Sequence, residues 1–371
     1  MDEGKKLRRG WTTGACATAA AKAAYAALLH GEFPDPVTIR LPGGETPAFA
    51  LAHTELRPGA ALAAVVKDAG DDPDVTHGAL VSVTVRLLPQ GAGLRFIAGP
   101  GVGTVTRPGL PIPPGEPAIN PGPRAMIRAA LAELDPEPDA EPDAEVEISI
   151  ADGEKLAERT LNGRLGIVGG LSVLGTTGIV IPYSCAAWID SIHRGVDVAR
   201  AMGIGHVAGS TGSASEAAVQ ALHGLPEVAL IEMGDFVGGM LKYLRRHPVP
   251  RVSVAGGVAK MTKLAQGRLD LHSKRGEADL GALGALLPNA ALAARVAAAN
   301  TVAEAFQIAE AGGHPLGHTI AAGAWAVAAE ALAGDAPGEL EICVFDRNGR
   351  LVGRADFAPL PHSPSRPRNR R

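Results

Sequence analysis

The sequence predicts an α/β protein in two parts, an N-terminal α+β domain (an antiparallel sheet with helices on it) and a Rossmann-like domain with an open parallel sheet. Three observations predict it. At 371 residues the chain exceeds the roughly 100–200 residues of an ordinary domain. Before Asn162, short strand-like stretches alternate with Pro/Gly turns. After Asn162, short apolar strands run into glycine-rich turns and then into helices, the βα texture of a parallel sheet. The expected boundaries are 1–164 for the α+β domain, 165–286 for the Rossmann-like domain, and 287–371 for C-terminal helices and a hairpin that pack on both.

In the first part, residues 13–29 are alanine-rich without internal proline, and Thr12 or Thr13 suits the cap of this first helix. Gly31 and Pro34 stop it. Strands are expected over 37–41, 48–52, 62–67, 80–88 and 94–98, with turns at Pro42-Gly43-Gly44 and Gln90-Gly91. A second helix is expected over 123–134, its proline tolerated in the first turn. The stretch 135–145 repeats proline and acid and reads as a surface insertion. Residues 146–150 and 155–161 flank Asp152-Gly153, a hairpin signal that would complete the antiparallel sheet.

In the second part, βα units are expected from strands at 206–208, 228–231 and 252–255, with 165–168 running into GGLS as a fourth. Helices over 290–311 and 319–333 follow, then a hairpin of 339–345 and 351–357 turning at Asn348-Gly349. The sequence leaves open which sheet that hairpin joins.

Composition narrows the function classes. Hydrophobic residues are 46% and charged residues 20% of the chain, as in a folded globular protein. A net charge of −4 argues against nucleic acid as a partner, because neutralising phosphates needs a basic surface. No apolar run is long enough to cross a bilayer and MDEGKKLRRGW lacks the apolar core of a signal peptide, so a cytoplasmic location without membrane partners is expected. Cys16, Cys185 and Cys343 lie far apart and form no CxxC pair, which indicates reduced thiols and neither a disulfide framework nor a structural zinc site. Arg366, Arg368, Arg370 and Arg371 cluster in a proline-rich tail that reads as a solvated terminus.

Three constellations carry chemistry. Open parallel sheets bind ligands beyond the carboxyl ends of their strands, where helix N-termini converge. Gly169, Gly170, Ser210, Thr211, Gly212, Gly234, Asp235, Gly256 and Gly257 are expected on that edge, with Glu232 placed to accept hydrogen bonds from a ribose. Neither GxGxxG after the first strand nor GxxxxGK[ST] is present, so the edge reads as nucleoside-friendly and no more specific than that. The second is the loop 67–78, which gathers Lys67, Asp68, Asp71, Asp72, Asp74 and His77. A metal loop and a solvated turn are both open there, although the EF-hand glycine and terminal glutamate are missing. The third is the stiff Gly/Pro loop 99–124, punctuated by Arg107, Glu116, Asn120 and Arg124, a long irregular loop of the kind that grips a ligand. His314 and His318 are separated by Pro315 and Gly317, which spoil the helix that would align two metal ligands, and Cys185 lacks a partner motif.

WTTGACATAAAKAA near the start, VKDAGDDPDVTHG, GVGTVTRPGLPIPPGEPAINPGPR, NGRLGIVGGLSVLGTTGIV, and KMTKLAQG followed by His272-Ser273 together resemble the cobalt-precorrin-5B (C1)-methyltransferase family, known as CbiD, over nearly the whole chain. The two middle loops are the most specific carriers. The resemblance implies methyl transfer from S-adenosyl-L-methionine to C-1 of cobalt-precorrin-5B, giving cobalt-precorrin-6A, on the anaerobic route to cobalamin. It also implies an α+β domain followed by a Rossmann-like one.

On that implication the first-domain loops hold the tetrapyrrole. Arg107 and Arg124 would grip its acetate and propionate arms, and Thr12, Thr13, Lys67, Asp68, Asp71, Asp74, Glu116 and Asn120 would line it. Asp72 or His77 would accept a proton. The glycine edge through Lys260 would hold the methyl donor, with Lys260 and Lys263 as weaker handles for the ring, and no protein-bound metal is expected. Two rival readings stand beside it: a nicotinamide-dependent oxidoreductase on the same ring, and a non-catalytic tetrapyrrole carrier. A homo-oligomer and transient hand-off to neighbouring corrin-pathway enzymes are compatible with all three.

Overall fold

The computed structural model describes residues 7–135 and 142–361. The chain divides into two compact units, Met1–Cys185 and Ala186–Arg371. The arginine tail, and the Pro/acid stretch from 136 to 141, lie outside the described residues.

In the first unit, β1 (Gly10–Trp11) leads into α1 (Thr13–His30). The Thr12 hydroxyl accepts the Ala15 N–H at 3.1 Å, and Gly31 closes the helix at φ 82, a left-handed angle that costs glycine nothing. Almost every residue of α1 up to Ala27 is buried, which is why its side chains are alanines: small residues let the sheet and a second helix approach closely.

β2 (Val37–Thr38) and β3 (Ala48–Phe49) pair with each other. β4 (His53–Arg57), β5 (Ala60–Val66), β6 (Leu80–Leu87) and β7 (Leu94–Ala98) follow. The short strands β8 (Gly101–Val102) and β9 (Thr104–Val105) precede α2 (Pro121–Ala132), β10 (Ala144–Ile150) and α3 (Gly153–Ala157). β11 (Ile167–Val168), β12 (Gly170–Leu171) and β13 (Ile179–Val180) complete the unit. The main sheet has the order β4-β5-β6-β10-β7. Alternate residues of β6 and β10 are buried, giving the sheet one face for a core that includes the alanines of α1 and Met126, Ile127 and Leu131 of α2.

Four expectations change here. β4 was not expected, because HTELR presents a charged, solvated edge with no apolar alternation. The sheet is mixed, not antiparallel, since β7 runs parallel to β10. The hairpin at Asp152-Gly153 is absent: β10 already has β6 on one side and β7 on the other, so a returning strand finds no free edge. The chain turns instead at Asp152 (φ 55) into α3, where Gly153 lies against the backbone of Gly101. Residues 165–168 are not a βα unit of the parallel sheet, because β11 pairs with β9 and β12 with β8 inside the first unit.

The second unit opens with α4 (Cys185–Ala201), then β14 (His206–Ser210), α5 (Ser213–His223), β15 (Leu230–Glu232), α6 (Val237–Arg246), β16 (Arg251–Gly257) and α7 (Val258–Ala265). α8 (Leu280–Ala285), α9 (Ala290–Ala297), α10 (Val302–Ala311) and α11 (Leu316–Leu332) lead to β17 (Glu339–Phe345) and β18 (Leu351–Pro359). The sheet order is β15-β14-β16-β17-β18, parallel except for β18. The closing hairpin therefore extends the parallel sheet. One face carries the large core with α6, α7 and α11, and α5 packs on the other. The helix expected over 290–311 is two helices. Thr301 caps α10 by accepting the Glu304 N–H at 3.1 Å while Glu304 reaches back to Asn300 N at 2.8 Å, so a T-x-x-E start signal interrupts the alanine run.

Candidate functional site

The acidic loop between β5 and β6 is folded by its own charges. Lys67 is 1% exposed, and its Nζ lies 2.6 Å from Asp74 Oδ2. Asp74 Oδ1 accepts from Thr76 N at 2.7 Å and Thr76 Oγ1 at 2.6 Å. Burial pushes the Asp74 carboxyl up, but Lys67 and Thr76 outweigh it and hold it below its ordinary range. Asp68 pairs with the Arg8 guanidinium and accepts the Gly70 N–H at 2.9 Å, and Arg8 holds its pKa down to about 2. Asp71 Oδ2 accepts the Arg8 N–H at 2.6 Å.

Three side chains of that loop keep a polar atom unengaged among the described residues, the first being Asp71, whose Oδ1 is left. Asp72 Oδ1 accepts the Tyr183 N–H at 2.8 Å, which leaves Oδ2. His77 is half exposed and its Nδ1 accepts the Ala69 N–H at 3.1 Å, so the neutral ring carries its proton on Nε2 and presents a donor there. The carboxylates point to N–H groups and cations, and no cluster of three metal-type donors among the described residues includes one of them.

The Gly/Pro loop is braced internally. Arg124 Nε donates to Ile119 O at 2.8 Å, its second fork nitrogen reaches Glu116 Oε2 and Pro117 O at 3.2 Å, and the guanidinium lies 5.2 Å from the Phe96 ring centre. Arg107 donates to Arg164 O at 2.7 Å. Asn120 opens α2 and its N–H donates to Val173 O at 3.0 Å. Thr12 and Thr13 are buried at the start of α1. These segments meet along residues 173–183: Gly14 N donates to Leu174 O, Thr12 N to Gly178 O, and β13 pairs with β1. Trp11 N in turn donates to Asp68 O at 2.7 Å, joining the acidic loop to the same seam. Thus 12–13, 67–78 and 116–124, scattered in sequence, form one region of the first unit.

In the second unit the strand order places a topological switch between β14 and β16, where one crossover leaves for each side of the sheet. Ser210 ends β14, fully buried, and its Oγ has no hydrogen-bond partner among the described residues. Ser210 O accepts the N–H groups of Met233 and Gly234, both at 3.1 Å, and Thr211 N donates to Ala255 O at 3.0 Å. Lys260 Nζ sits 2.8 Å from Thr211 O and 3.1 Å from Asp235 Oδ1. Gly212 and Gly257 begin α5 and α7 with no side-chain cap, so their first N–H groups remain available to an anionic or polar ligand. Glu232 ends β15 beside them, and its carbonyl accepts from Trp188 Nε1 at 3.3 Å. Trp188 was not singled out from the sequence. It is an exposed aromatic whose ring comes within 3.2 Å of where a Cβ on Gly234 would stand.

Gly169 and Gly170 do not belong to this edge. They lie in the first unit, where β12 runs beside β8 so tightly that a Cβ on Gly170 would stand 2.4 Å from Gly101. Gly170 is there for backbone approach, and Gly169 for its left-handed turn at φ 85.

Elsewhere, His223, Glu341 and Cys343 bring three metal-type donors within 4.8 Å of one another. Glu341 is fully buried and already satisfied: Oε2 accepts from His223 and Ser253 at 2.7 Å and Oε1 from Arg354 Nε at 2.7 Å. The Arg354 cation opposes a second cation there, so the cluster reads as an ion-pair network. A cavity of about 520 Å3 in the first unit is lined by Asp152, Glu154, Lys155 and Glu158, an acid excess that disfavours a polycarboxylate. Cys185 is exposed, and His318 Nδ1 bonds backbone of Arg354 at 3.2 Å.

A CbiD family profile matches residues 1–182, and one for the CbiD C-terminal domain matches residues 270–356. The cobalt-precorrin-5B C(1)-methyltransferase of Agrobacterium fabrum is 62% identical over 367 residues, 98% of this chain and 96% of that one. The protein of the same name from Halorhodospira halophila is 62% identical over 359 residues, 96% of each chain. A crystal structure of a cobalamin biosynthesis protein (cbiD) from Archaeoglobus fulgidus is 28% identical, covers 72% of this chain and 83% of its own, and superposes with a TM-score of 0.39.

Proposed function

The chain belongs to the CbiD family, and from that premise we propose that it methylates C-1 of cobalt-precorrin-5B, giving cobalt-precorrin-6A in cobalamin biosynthesis. The observation that carries the activity is 62% identity to a methyltransferase of that name across 98% of the chain. The oxidoreductase and carrier readings have no such support.

The methyl donor in this proposal is S-adenosyl-L-methionine, held at the switch point of the second unit. Four features support that assignment: the unpartnered, buried Ser210 Oγ, the uncapped starts of α5 and α7, the Lys260 ammonium, and the carboxylates of Asp235 and Glu232. The strand order, with the first strand between the second and third, supports the Rossmann-like reading of this unit. Lys260 would pair with the methionyl carboxylate, and Glu232 or Asp235 would accept from ribose or amine. When bound, the donor supplies an activated methyl: its S–CH3 bond breaks as the C–C bond forms at C-1, and sulfur keeps the electron pair.

The first unit takes the ring. Arg107 and Arg124 supply cations for its carboxylate arms, with Glu116 and Asn120 bracing the same loop, while Thr12, Thr13, Lys67, Asp68, Asp71 and Asp74 shape the region by their buried or internal bonds. His77 Nε2–H donates to an arm of the ring, and Asp72 Oδ2 is the better placed of the two to accept a proton, because His77 Nδ1 is occupied. Alignment of methyl and ring carbon can contribute on the order of 7–11 kcal/mol at best, so positioning dominates the catalysis. No helix among the described residues is long and apolar enough to cross a membrane. The proposal places the protein in the cytoplasm, between enzymes that supply and consume the ring, and self-association belongs to it only as an open partner mode.

The test is mass spectrometry of a cell-free pathway mixture with and without the protein. The expected product gains one methyl, and the same mixture without a donor gains none. Calorimetry with S-adenosylhomocysteine tests the donor directly, and absence of binding at millimolar ligand sinks that assignment.

A further inference from the structure

Tyr183 combines two costs. Its backbone stands at φ 56, and the residue is 67% exposed. A bulky residue in the left-handed region is strained, and a glycine at the same position would avoid that strain. An exposed aromatic gains nothing from core packing to offset it. What holds the conformation is a charge-assisted bond, Asp72 Oδ1 accepting the Tyr183 N–H at 2.8 Å across 111 positions of sequence. The residue is thus fixed in place by the acidic loop while its side chain stays open to solvent. Exposed Ile181 lies two residues before it, and exposed Leu174 follows Val173, the residue that accepts the Asn120 N–H. The seam that gathers the charged loops therefore also presents apolar surface.

We infer that Tyr183 is a substrate-face residue of the first unit, its ring lying against the flat conjugated face of a tetrapyrrole, and that Asp72 is the positioning residue that aims it. The inference rests on the ring-methylation reading above and deepens it. A conjugated macrocycle with carboxylate arms asks for two kinds of contact: cations and N–H donors at the rim, and an aromatic or aliphatic platform for the face. The loops supply the first, and Tyr183 with Ile181 supplies the second. Asp72 uses Oδ1 for this task, and its Oδ2 stays available for the proton acceptance proposed above.

Steady-state kinetics on the cobalt tetrapyrrole tests it, with Tyr183→Ala, Tyr183→Phe, Asp72→Ala and Asp72→Asn. Tyr183→Ala is expected to raise KM about tenfold, equivalent to about 1.4 kcal/mol, with kcat changed less than about threefold and unchanged calorimetric affinity for S-adenosylhomocysteine. Tyr183→Phe keeps the ring and should recover most of the lost affinity. Asp72→Ala should raise KM as Tyr183→Ala does. Asp72→Asn still offers an oxygen to the Tyr183 N–H and should restore KM, whatever it does to kcat. A Tyr183→Ala enzyme with KM within twofold of the unaltered protein overturns the inference, and so does an Asp72→Asn KM as high as that of Asp72→Ala. If the unaltered protein shows no methyl transfer, the proposed function has failed. Titration of the cobalt tetrapyrrole, read by its visible absorption, then tests the platform alone: weaker binding by Tyr183→Ala upholds it and equal binding removes it.

Discussion

The ammonium of Lys67 and the carboxylate of Asp74 meet at 2.6 Å with the lysine side chain 1% exposed, so the most charged loop of the chain is anchored by a buried ion pair. Removing one partner strands the other. Lys67→Met should destabilise the protein by about 3–5 kcal/mol, because Asp74 loses the cation that offsets its desolvation. Asp74→Asn should cost a similar amount, and the double variant should recover part of it. Urea unfolding followed by circular dichroism checks all three.

The same loop predicts an acid limit. Asp74 is held below its ordinary pKa, and Asp68 is held down to about 2. A carboxylate depressed in the folded state adds stability above its unfolded pKa, about 3.9 for Asp, and loses it as pH falls toward the folded value. Stability from these two groups should therefore be constant above about pH 5 and decline from about pH 4 toward pH 2. Arg8→Ala should shift the Asp68 component upward, as read by the carboxyl chemical shift in a pH titration.

His206 predicts a second, separate window. Burial lowers its pKa, with His223 adding to the effect, so the folded state resists the proton that the unfolded chain takes up near pH 6.5. Its contribution is full above about pH 6.5 and falls as pH drops below that value. His206→Gln should flatten the thermal melting profile just below about pH 6.5 while leaving the lower, carboxylate-driven acid window unchanged.

At the switch point, Ser210→Ala should separate binding from stability. The hydroxyl is buried without a partner, so its removal should leave stability equal or slightly higher, within about 1 kcal/mol. If Ser210 bonds the methyl donor, calorimetric affinity for S-adenosylhomocysteine should fall about two- to tenfold. Lys260→Ala should cost about tenfold or more, since it removes a charge-assisted partner. Unchanged affinity in both variants moves the donor away from this edge.

Gly70 ties the loop to the N-terminal strand. It stands at φ 69, and a Cβ there would lie 2.2 Å from Arg8 O. Gly70→Ala should therefore cost several kcal/mol and lower Tm by many degrees, whereas Gly78→Ala, at φ 79 with open space around it, should cost only about 1 kcal/mol.

Much of this molecule was legible from local rules. The alanine run after Thr12 could only be a closely packed helix, the three βα strands after Asn162 announced a parallel sheet, and Asn348-Gly349 turned the closing hairpin. The rare residue choices of 67–78 and 99–124 carried the family and, with it, the activity. Local rules failed where a distant partner decided. Asp152-Gly153 looked like a hairpin because sequence cannot reveal that β10 is flanked on both sides, and Gly169-Gly170 looked like a ligand turn because nothing local reveals the backbone of Gly101 against Gly170. The aspartates of the acidic loop were visible as a cluster, but which of them fold the loop and which face outward depends on Arg8, Lys67 and Tyr183. Tyr183 itself carries no sequence signal at all. Its strained backbone and its bond to Asp72 exist only once the chain has brought positions 72 and 183 together, because a contact across that separation is fixed by packing and not by propensity.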